Sequence, residues 1–566
     1  MRSSRSCHLD PTPRVGWAAW LSLVVIAVVL LSFPPSGRAT ANPAAGPGLP
    51  AAAAAPIAVT TSGTVAGPGA VAVAASQSAV DVQALDAYFA NAQREWGVPG
   101  MAVAIVKDGE VVLAKGYGVR DMNDGGEVDA DTMFAIASNS KAFTSAALAM
   151  LVDEGKMSWS DPVKKYLPDF QVYDPFVSAE MRVYDLLSHR SGLGSFSGDL
   201  LWYASDYSAD EVLRRARYLP QAGPFRASYG YSNLMFIAAG QLIPAVTGQS
   251  WSEFVRERIF EPLGMDRTVA STGDLGRFDN VATPHAEPEG ELRTYPWRGW
   301  DAAAAAGGII SSATDMARWM TLQLNRGQAN GDRLFSEDAS RTMWTPLTSM
   351  AVSAGSEMRY PSTHFRAYGM GWSLMDYLGR RIVSHGGAYD GMYSRVVLVP
   401  EEDLGLVILT NSTTGISTAL MYRFLDAYLG GQERDWAGDN IAVEKLGKSA
   451  FVDRQEKILE GRVEGTQPSL ALQSYAGTYG GPMYGDATVT VENGGLVVQF
   501  LPSPELIGDL KHLHYDTFVV EWRNDFPWFG IGTVLFVLDA AGEVAEMKVE
   551  VPNDDFWFFE LEFKRK

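Results

Sequence analysis

Ser138 and Lys141 stand three residues apart at the head of an apolar run, Ser138-Asn139-Ser140-Lys141 leading into Ala142 to Gly155. On one face of a helix such residues lie about 5–6 Å apart at Cβ, so the spacing sets an amine beside a hydroxyl. Burial and the positive end of the helix both disfavour a charged amine, lowering its pKa until it can act as a base. The same helix start offers a free backbone N–H to an oxyanion. As a bare pattern Ser-x-x-Lys is equally a helix N-cap with a surface lysine, so its meaning depends on what else the chain carries.

Two further clusters carry suitable groups. Tyr231-Ser232-Asn233 closes a loop before the apolar stretch Leu234 to Val246. A loop tyrosine near a buried lysine can relay a proton, and the neighbouring asparagine can fix the lysine or a substrate amide. His385-Gly386-Gly387 ends a strand, and Ala388-Tyr389-Asp390-Gly391 turns into the next one. Two glycines there let a substrate backbone approach the strand edge closely. His189 reads as a packing residue, and His512 and His514 alternate on a strand without ligand spacing, so neither a metal nor another cofactor is expected.

The elements that must position these groups follow from periodicity. Val82, Leu85, Phe89, Ala92 and Trp96 recur at helical spacing, and Met101 to Lys107 and Val111 to Gly118 flank an Asp108-Gly109 turn. Residues 134–308 are mainly helical, and Ser312 with Asp315 has the spacing of a capping box. Strands return after Tyr368 and are followed by an amphipathic helix from Ile416 to Leu429. This order predicts an α+β fold: an antiparallel sheet flanked by helices, with an inserted mainly helical lobe, in a catalytic domain over 81–430. Residues 431–472 read as a helical connector, and 473–566 as a small all-β barrel-like accessory domain. The aromatic tail (Phe526, Trp528, Phe529, Phe556 to Phe559) is read as barrel core and wall rather than as a glycan or lipid site.

In chain order, the three motifs resemble those of the penicillin-recognising serine hydrolases, in the branch of class C β-lactamases, D-Ala-D-Ala carboxypeptidases and related esterases. The likeness spans about Asp81 to Gly430. It includes Trp96-Gly97-Val98-Pro99-Gly100, Phe134 to Ser138, Leu186 to Leu193 and Gly307 to Ser311. It implies Ser138 as the acylated nucleophile, with Lys141 and Tyr231 handling its proton and Asn233 positioning Lys141 and substrate. It also implies His385, Gly386, Gly387 and Ala388 along the substrate, with the N–H groups of Ser138 and Ala388 as the oxyanion hole. One position departs: the third motif usually begins with lysine, and here begins with His385. A largely neutral histidine lowers the demand for an anionic substrate carboxylate. This favours a small ester, amide or D-amino-acid peptide; a true β-lactamase and a catalytically idle binding protein on the same fold are the alternatives.

Bulk properties bound the rest. The chain has 566 residues, 47% hydrophobic and 20% charged, with a net charge of -20, which argues against nucleic acid as a partner. Its one cysteine, Cys7, precedes an apolar run from Trp17 to Phe33 that follows Arg2, Arg5 and Arg14 and ends at Pro34-Pro35. With Ala39-Thr40-Ala41 beyond it, residues 1–41 read as a signal peptide and 42–80 as a disordered Ala/Pro/Gly-rich linker. The body is expected outside the cytoplasm, secreted or periplasmic, and at a membrane only if that segment is uncleaved. Oligomeric state is not read from the sequence.

Overall fold

A computed structural model describes residues 80–288 and 290–566. The predicted signal peptide and all but the last residue of the predicted linker lie outside the described residues. Nine antiparallel strands form one sheet. Their spatial order is Thr348–Met350, Arg366–Tyr368, Ser373–Tyr377, Arg380–Tyr389, Met392–Val399, Leu404–Thr410, Gly100–Lys107, Glu110–Asp121 and Gly125–Glu127. The first and last parts of this domain therefore meet at the sheet centre, where Met101 pairs with Thr410 and Lys107 with Leu404. Gly100–Lys107 is buried on both faces over its first seven residues, because Val82–Glu95 and Ile416–Leu429 cover one face and the helical lobe covers the other.

Within the lobe, the helix Ser140–Asp153 is buried along nearly its whole length, and Asn233–Thr247 packs against it. The spacing at Ser312 is half realised as a cap. Ser312 Oγ accepts the N–H of Asp315 at 3.2 Å, but the Asp315 carboxylate turns away to the N–H of Arg267 at 2.7 Å and the hydroxyl of Thr268 at 2.9 Å. Those two tertiary donors outcompete the single capping bond.

A 25-residue helix, Trp436–Glu460, leads to a closed barrel of eight antiparallel strands, from Gly477–Gly481 round to Phe563–Arg565. Eight strands leave an interior that side chains fill, and Tyr479, Phe500, Phe518, Phe536 and Phe563 are all buried there. Among the described residues, no helix is long and apolar enough to cross a membrane.

The barrel is docked on the helical lobe and the sheet domain through polar bonds. Tyr207 Oη donates to Tyr484 O at 2.8 Å, and the N–H of Asp206 donates to Pro502 O at 2.8 Å. Arg298, almost fully buried, bridges Asp390 of the body and Glu505 of the barrel at 2.6 Å each. The expectation that the aromatic tail is core and wall alone needs correction. Phe526, Phe529 and Phe558 are core, but Trp528 and Phe556 face the cleft that holds Ser138, since two loops at one barrel end reach over the body.

Candidate active site

Ser138 occupies a short 3-10 turn, Ala137–Asn139, that runs directly into the helix beginning at Ser140. Ala137 adopts a φ of 46°, a left-handed conformation costly for a side chain bearing Cβ. Neighbours hold that turn in place. Ile136 N–H donates to Ile309 O at 3.0 Å, Ile309 N–H to Ser140 Oγ at 3.0 Å, and Ser394 Oγ to Ile136 O at 2.6 Å.

Lys141 is fully buried, and its Nζ has three oxygen neighbours: Ser138 Oγ at 2.9 Å, Asn233 Oδ1 at 2.7 Å and Ala306 O at 2.8 Å. Asn233 Nδ2 donates to Asp199 Oδ2 at 2.6 Å, which fixes the amide so that its oxygen faces the lysine. Ala306 O and Asn233 Oδ1 are acceptors only, so each consumes one N–H. A neutral amine has two N–H groups and one lone pair; the lone pair is then left to accept the Ser138 hydroxyl proton. Burial pushes the Lys141 pKa down to about 7, against the pull of Asp199. Asp199 is itself buried and pushed up to about 8, while Trp202 Nε1 donates to it at 2.9 Å.

Tyr231 Oη donates to Ser138 Oγ at 2.7 Å, so the serine oxygen has a donor on one side and the lysine on the other. Burial holds this phenol well above its ordinary pKa, which keeps the proton on it at rest. Its loop rests on the Leu186–Leu193 segment. Gly230 N–H donates to His189 O at 2.9 Å, and Ser232 N–H donates to His189 Nδ1 at 3.1 Å. The His189 ring lies 4.2 Å from the Tyr231 ring and 4.4 Å from Tyr368, and its burial keeps it neutral. His189 therefore props the tyrosine from behind and does not reach the serine.

The strand Arg380–Tyr389 runs through His385, Gly386, Gly387 and Ala388 and ends at Tyr389, two residues further than the sequence suggested. A Cβ at Gly387 would lie 2.2 Å from Ile136 O and 2.9 Å from Ser138 N, so only glycine lets the strand approach the turn that carries Ser138. His385 is buried. Its Nδ1 faces Gly386 O at 2.6 Å and so carries the proton, leaving Nε2 to accept the Tyr368 hydroxyl at 2.8 Å. Burial lowers its pKa to about 3, which makes it a neutral group at this position.

All eight residues singled out from the sequence are thus adjacent, seven of them lining one cavity of about 320 Å³, with Lys141 directly behind it. Sequence reasoning missed four contributors. Ala306 acts through a main-chain carbonyl and leaves no side-chain signal; Asp199 is one carboxyl among 66 acidic residues. Trp528 and Asp555 come from barrel loops more than 300 residues beyond the serine, in a part of the chain without a catalytic motif.

Residues 85–428 match the family described as Beta-lactamase, and residues 461–565 match a domain of unknown function (DUF3471). An unguisins hydrolase of Aspergillus campestris is 31% identical over 72% of this chain and 78% of its own. Penicillin-binding protein 4 of Amycolatopsis lactamdurans is 30% identical over 60% of this chain and 88% of its own. The octameric penicillin-binding protein homologue from Pyrococcus abyssi superposes with a TM-score of 0.56 over 83% of this chain and 98% of that one; at 23% identity it speaks for the fold. By family match, relatives and fold, the chain belongs to the β-lactamase-fold serine hydrolases, with a barrel of unassigned role at its C-terminus.

Proposed function

We propose that this protein is an exported hydrolase that forms an acyl-enzyme on Ser138 and acts on a small ester, amide or D-amino-acid peptide. The observation that carries this reading is the buried amine of Lys141, 2.9 Å from Ser138 Oγ, with its other two hydrogen-bonding directions committed to Asn233 and Ala306. An ordinary surface lysine needs no such enclosure.

The geometry supports the following steps. Lys141 Nζ takes the Ser138 proton as Oγ bonds to the substrate carbonyl carbon. The oxygen of that carbonyl becomes negative and is assigned to the N–H groups of Ser138 and Ala388, where loss of one donor typically costs about 3–4 kcal/mol. Tyr231 passes its proton to the departing alcohol or amine as the carbon–heteroatom bond breaks, and regains one from the Lys141 ammonium across Ser138. Water then attacks the acyl carbon by the reverse route, returning Ser138 and the substrate acid. Each proton removed is thus returned within the cycle.

Substrate preference follows from charge. The neutral His385 supplies no fixed cation at the position where the third motif usually begins with lysine. The cavity also holds two arginines, Arg366 and Arg395, and Arg395 donates to Tyr393 Oη at 3.0 Å, Thr418 Oγ1 at 3.1 Å and Ser417 Oγ at 3.1 Å. It is the neutral His385 that favours esters and amides over substrates anchored by a carboxylate at that position.

The test is mass-resolved labelling of the purified chain with a fluorophosphonate and with a fluorescent penicillin, alongside Ser138→Ala. One fluorophosphonate adduct on the wild type and none on the variant is expected. Labelling that persists in the variant refutes the nucleophile, and rapid penicillin turnover would establish a true β-lactamase instead.

A further inference from the structure

Asp199 is a buried carboxyl that takes no direct part in the proton transfers, yet it stands one amide away from the base. Asn233 Oδ1 accepts from Lys141 Nζ at 2.7 Å, and Asn233 Nδ2 donates to Asp199 Oδ2 at 2.6 Å. The second carboxyl oxygen is taken as well, by Trp202 Nε1 at 2.9 Å. Both oxygens thus accept from N–H groups, which suits an ionised carboxylate; a protonated one would have an O–H donor to place. The position is built in. Asp199 opens the short 3-10 turn Asp199–Leu201 directly after Gly198, whose φ is 79°. A Cβ at Gly198 would lie 2.4 Å from Leu219 Cδ1 and 2.8 Å from Leu234 Cδ1, so the turn sits tight against the lobe. Asp199 N–H donates to Phe196 O at 3.1 Å, and Tyr203 N–H donates to Asp199 O at 3.0 Å.

A buried charge is costly alone and far less so when an opposite charge forms nearby. Lys141 becomes such a charge when it takes the Ser138 proton. The Asn233 amide lies with its oxygen toward the amine and its N–H toward the carboxyl, so its dipole suits a cation on one side and an anion on the other. Burial opposes each charge separately, while each favours the other: Asp199 raises the proton affinity of Lys141, and Lys141 draws Asp199 toward ionisation. Four more titratable groups face this pair: Tyr231, His189, His385 and, from a barrel loop, Asp555. Burial keeps the phenol protonated and both imidazoles neutral around pH 7. Asp555, partly exposed to the cleft, acts on Asp199 against Lys141, and desolvation raises its own pKa to about 7.

We propose that Asp199 is a positioning residue acting through Asn233: its negative charge stabilises the Lys141 ammonium that forms during acylation and so sets the pH at which Ser138 is activated. This rests on the acyl-serine reading and deepens it. The amide spacer matters for the same reason. A carboxylate in direct contact would hold the lysine charged at neutral pH, since an opposite charge at about 4–6 Å shifts a pKa by about 1–3. Set behind Asn233, the carboxylate leaves the amine free to accept the serine hydrogen and still steadies the cation that results.

The full chain tests this in two ways. The first is the pH profile of labelling by a fluorophosphonate, which reads acylation without a chosen substrate. In the wild type the second-order rate should rise through about pH 7. In Asp199→Asn, and in the smaller Asp199→Ser, the midpoint should fall by about one pH unit and the plateau by about three- to tenfold, because the amine loses the charge that favours its protonated form. Trp202→Phe disturbs the same turn but keeps the carboxyl, so the midpoint should stay in place. The shift should also persist when both chains carry Asp555→Asn. A midpoint unmoved by the Asp199 variants, moved equally by Trp202→Phe, or unmoved once Asp555 is replaced, overturns the assignment. The second test needs no reaction. In Ser138→Ala labelled with 13C-lysine, NMR should follow the Cε of Lys141 through its titration, the signal being identified by its loss in Lys141→Met. Adding Asp199→Asn should lower that midpoint, and an equal or higher one overturns the assignment. Failure of the nucleophile is distinguishable, because fluorophosphonate would then label Ser138→Ala while the Lys141 titration still answers to Asp199.

Discussion

The two walls of the cleft are built on opposite principles. On the body side the groups around the Ser138 hydroxyl are partnered: Lys141 is shared among three oxygens, Asn233 bridges Lys141 and Asp199, and Tyr231 donates to the serine. On the barrel side the wall is aromatic, with Trp528 and Phe556, and its carboxyl in the cavity, Asp555, is partly exposed to the cleft. A saturated network holds its geometry before substrate arrives, which is what proton transfer requires. An aromatic wall instead offers rings to whatever occupies the cleft. The difference teaches where chemistry and selectivity reside in this chain.

The sharpest way to break the comparison is at Lys141. Lys141→Met removes the base and should lower kcat/KM by about a thousandfold or more, while Tyr231→Phe should cost about a hundredfold or more. The methionine variant should unfold at an equal or higher temperature, because a buried amine is replaced by an apolar chain of similar length. Activity surviving in that variant would remove the saturated wall from the chemistry.

Next in size is the pH dependence. Burial sets the Lys141 pKa at about 7, below that of a free lysine, so the amine is protonated below that pH and free above it. Pre-steady-state acylation should climb with pH through about 7 and fall about tenfold per unit below it. A flat profile between pH 5 and 8 would contradict a neutral lysine base.

A smaller effect should come from the grip of the barrel on the body. Glu560→Gln weakens the acceptor for Ser197 and Gly198 in the segment that carries Asp199, and a loss of about three- to tenfold in kcat/KM is expected. A loss as large as that of Tyr231→Phe would mean that the barrel supports the chemistry itself. Smallest should be Asp516→Asn, away from the cleft, where the carboxylate holds Ser469 N–H at 2.9 Å and Ser469 Oγ at 2.7 Å. Stability in urea should fall by about 1–2 kcal/mol with kcat/KM unchanged.

Much of the body was legible because its signals are local. Strands return after Tyr368 as expected, and Ile416–Leu429 has the bounds that helical spacing suggests. The strand through His385 extends two residues beyond the sequence reading, because Ala388 and Tyr389, read as part of the turn, pair with Tyr393 and Met392 of the next strand. The aromatic tail has the composition of a barrel core, and composition does not separate rings that face inward from Trp528 and Phe556 at the seam.

The sequence by itself determined that Ser138 and Lys141 meet, since a spacing of three residues at a helix start places a hydroxyl and an amine together through local geometry alone. It also determined the glycine pair that lets a strand pass close to the serine. Only the tertiary structure decided how the lysine is kept neutral and what covers the cleft. Burial, the carbonyl of Ala306, the carboxyl of Asp199 and the barrel wall at Asp555 all arise from contacts between segments remote along the chain, which no spacing rule encodes.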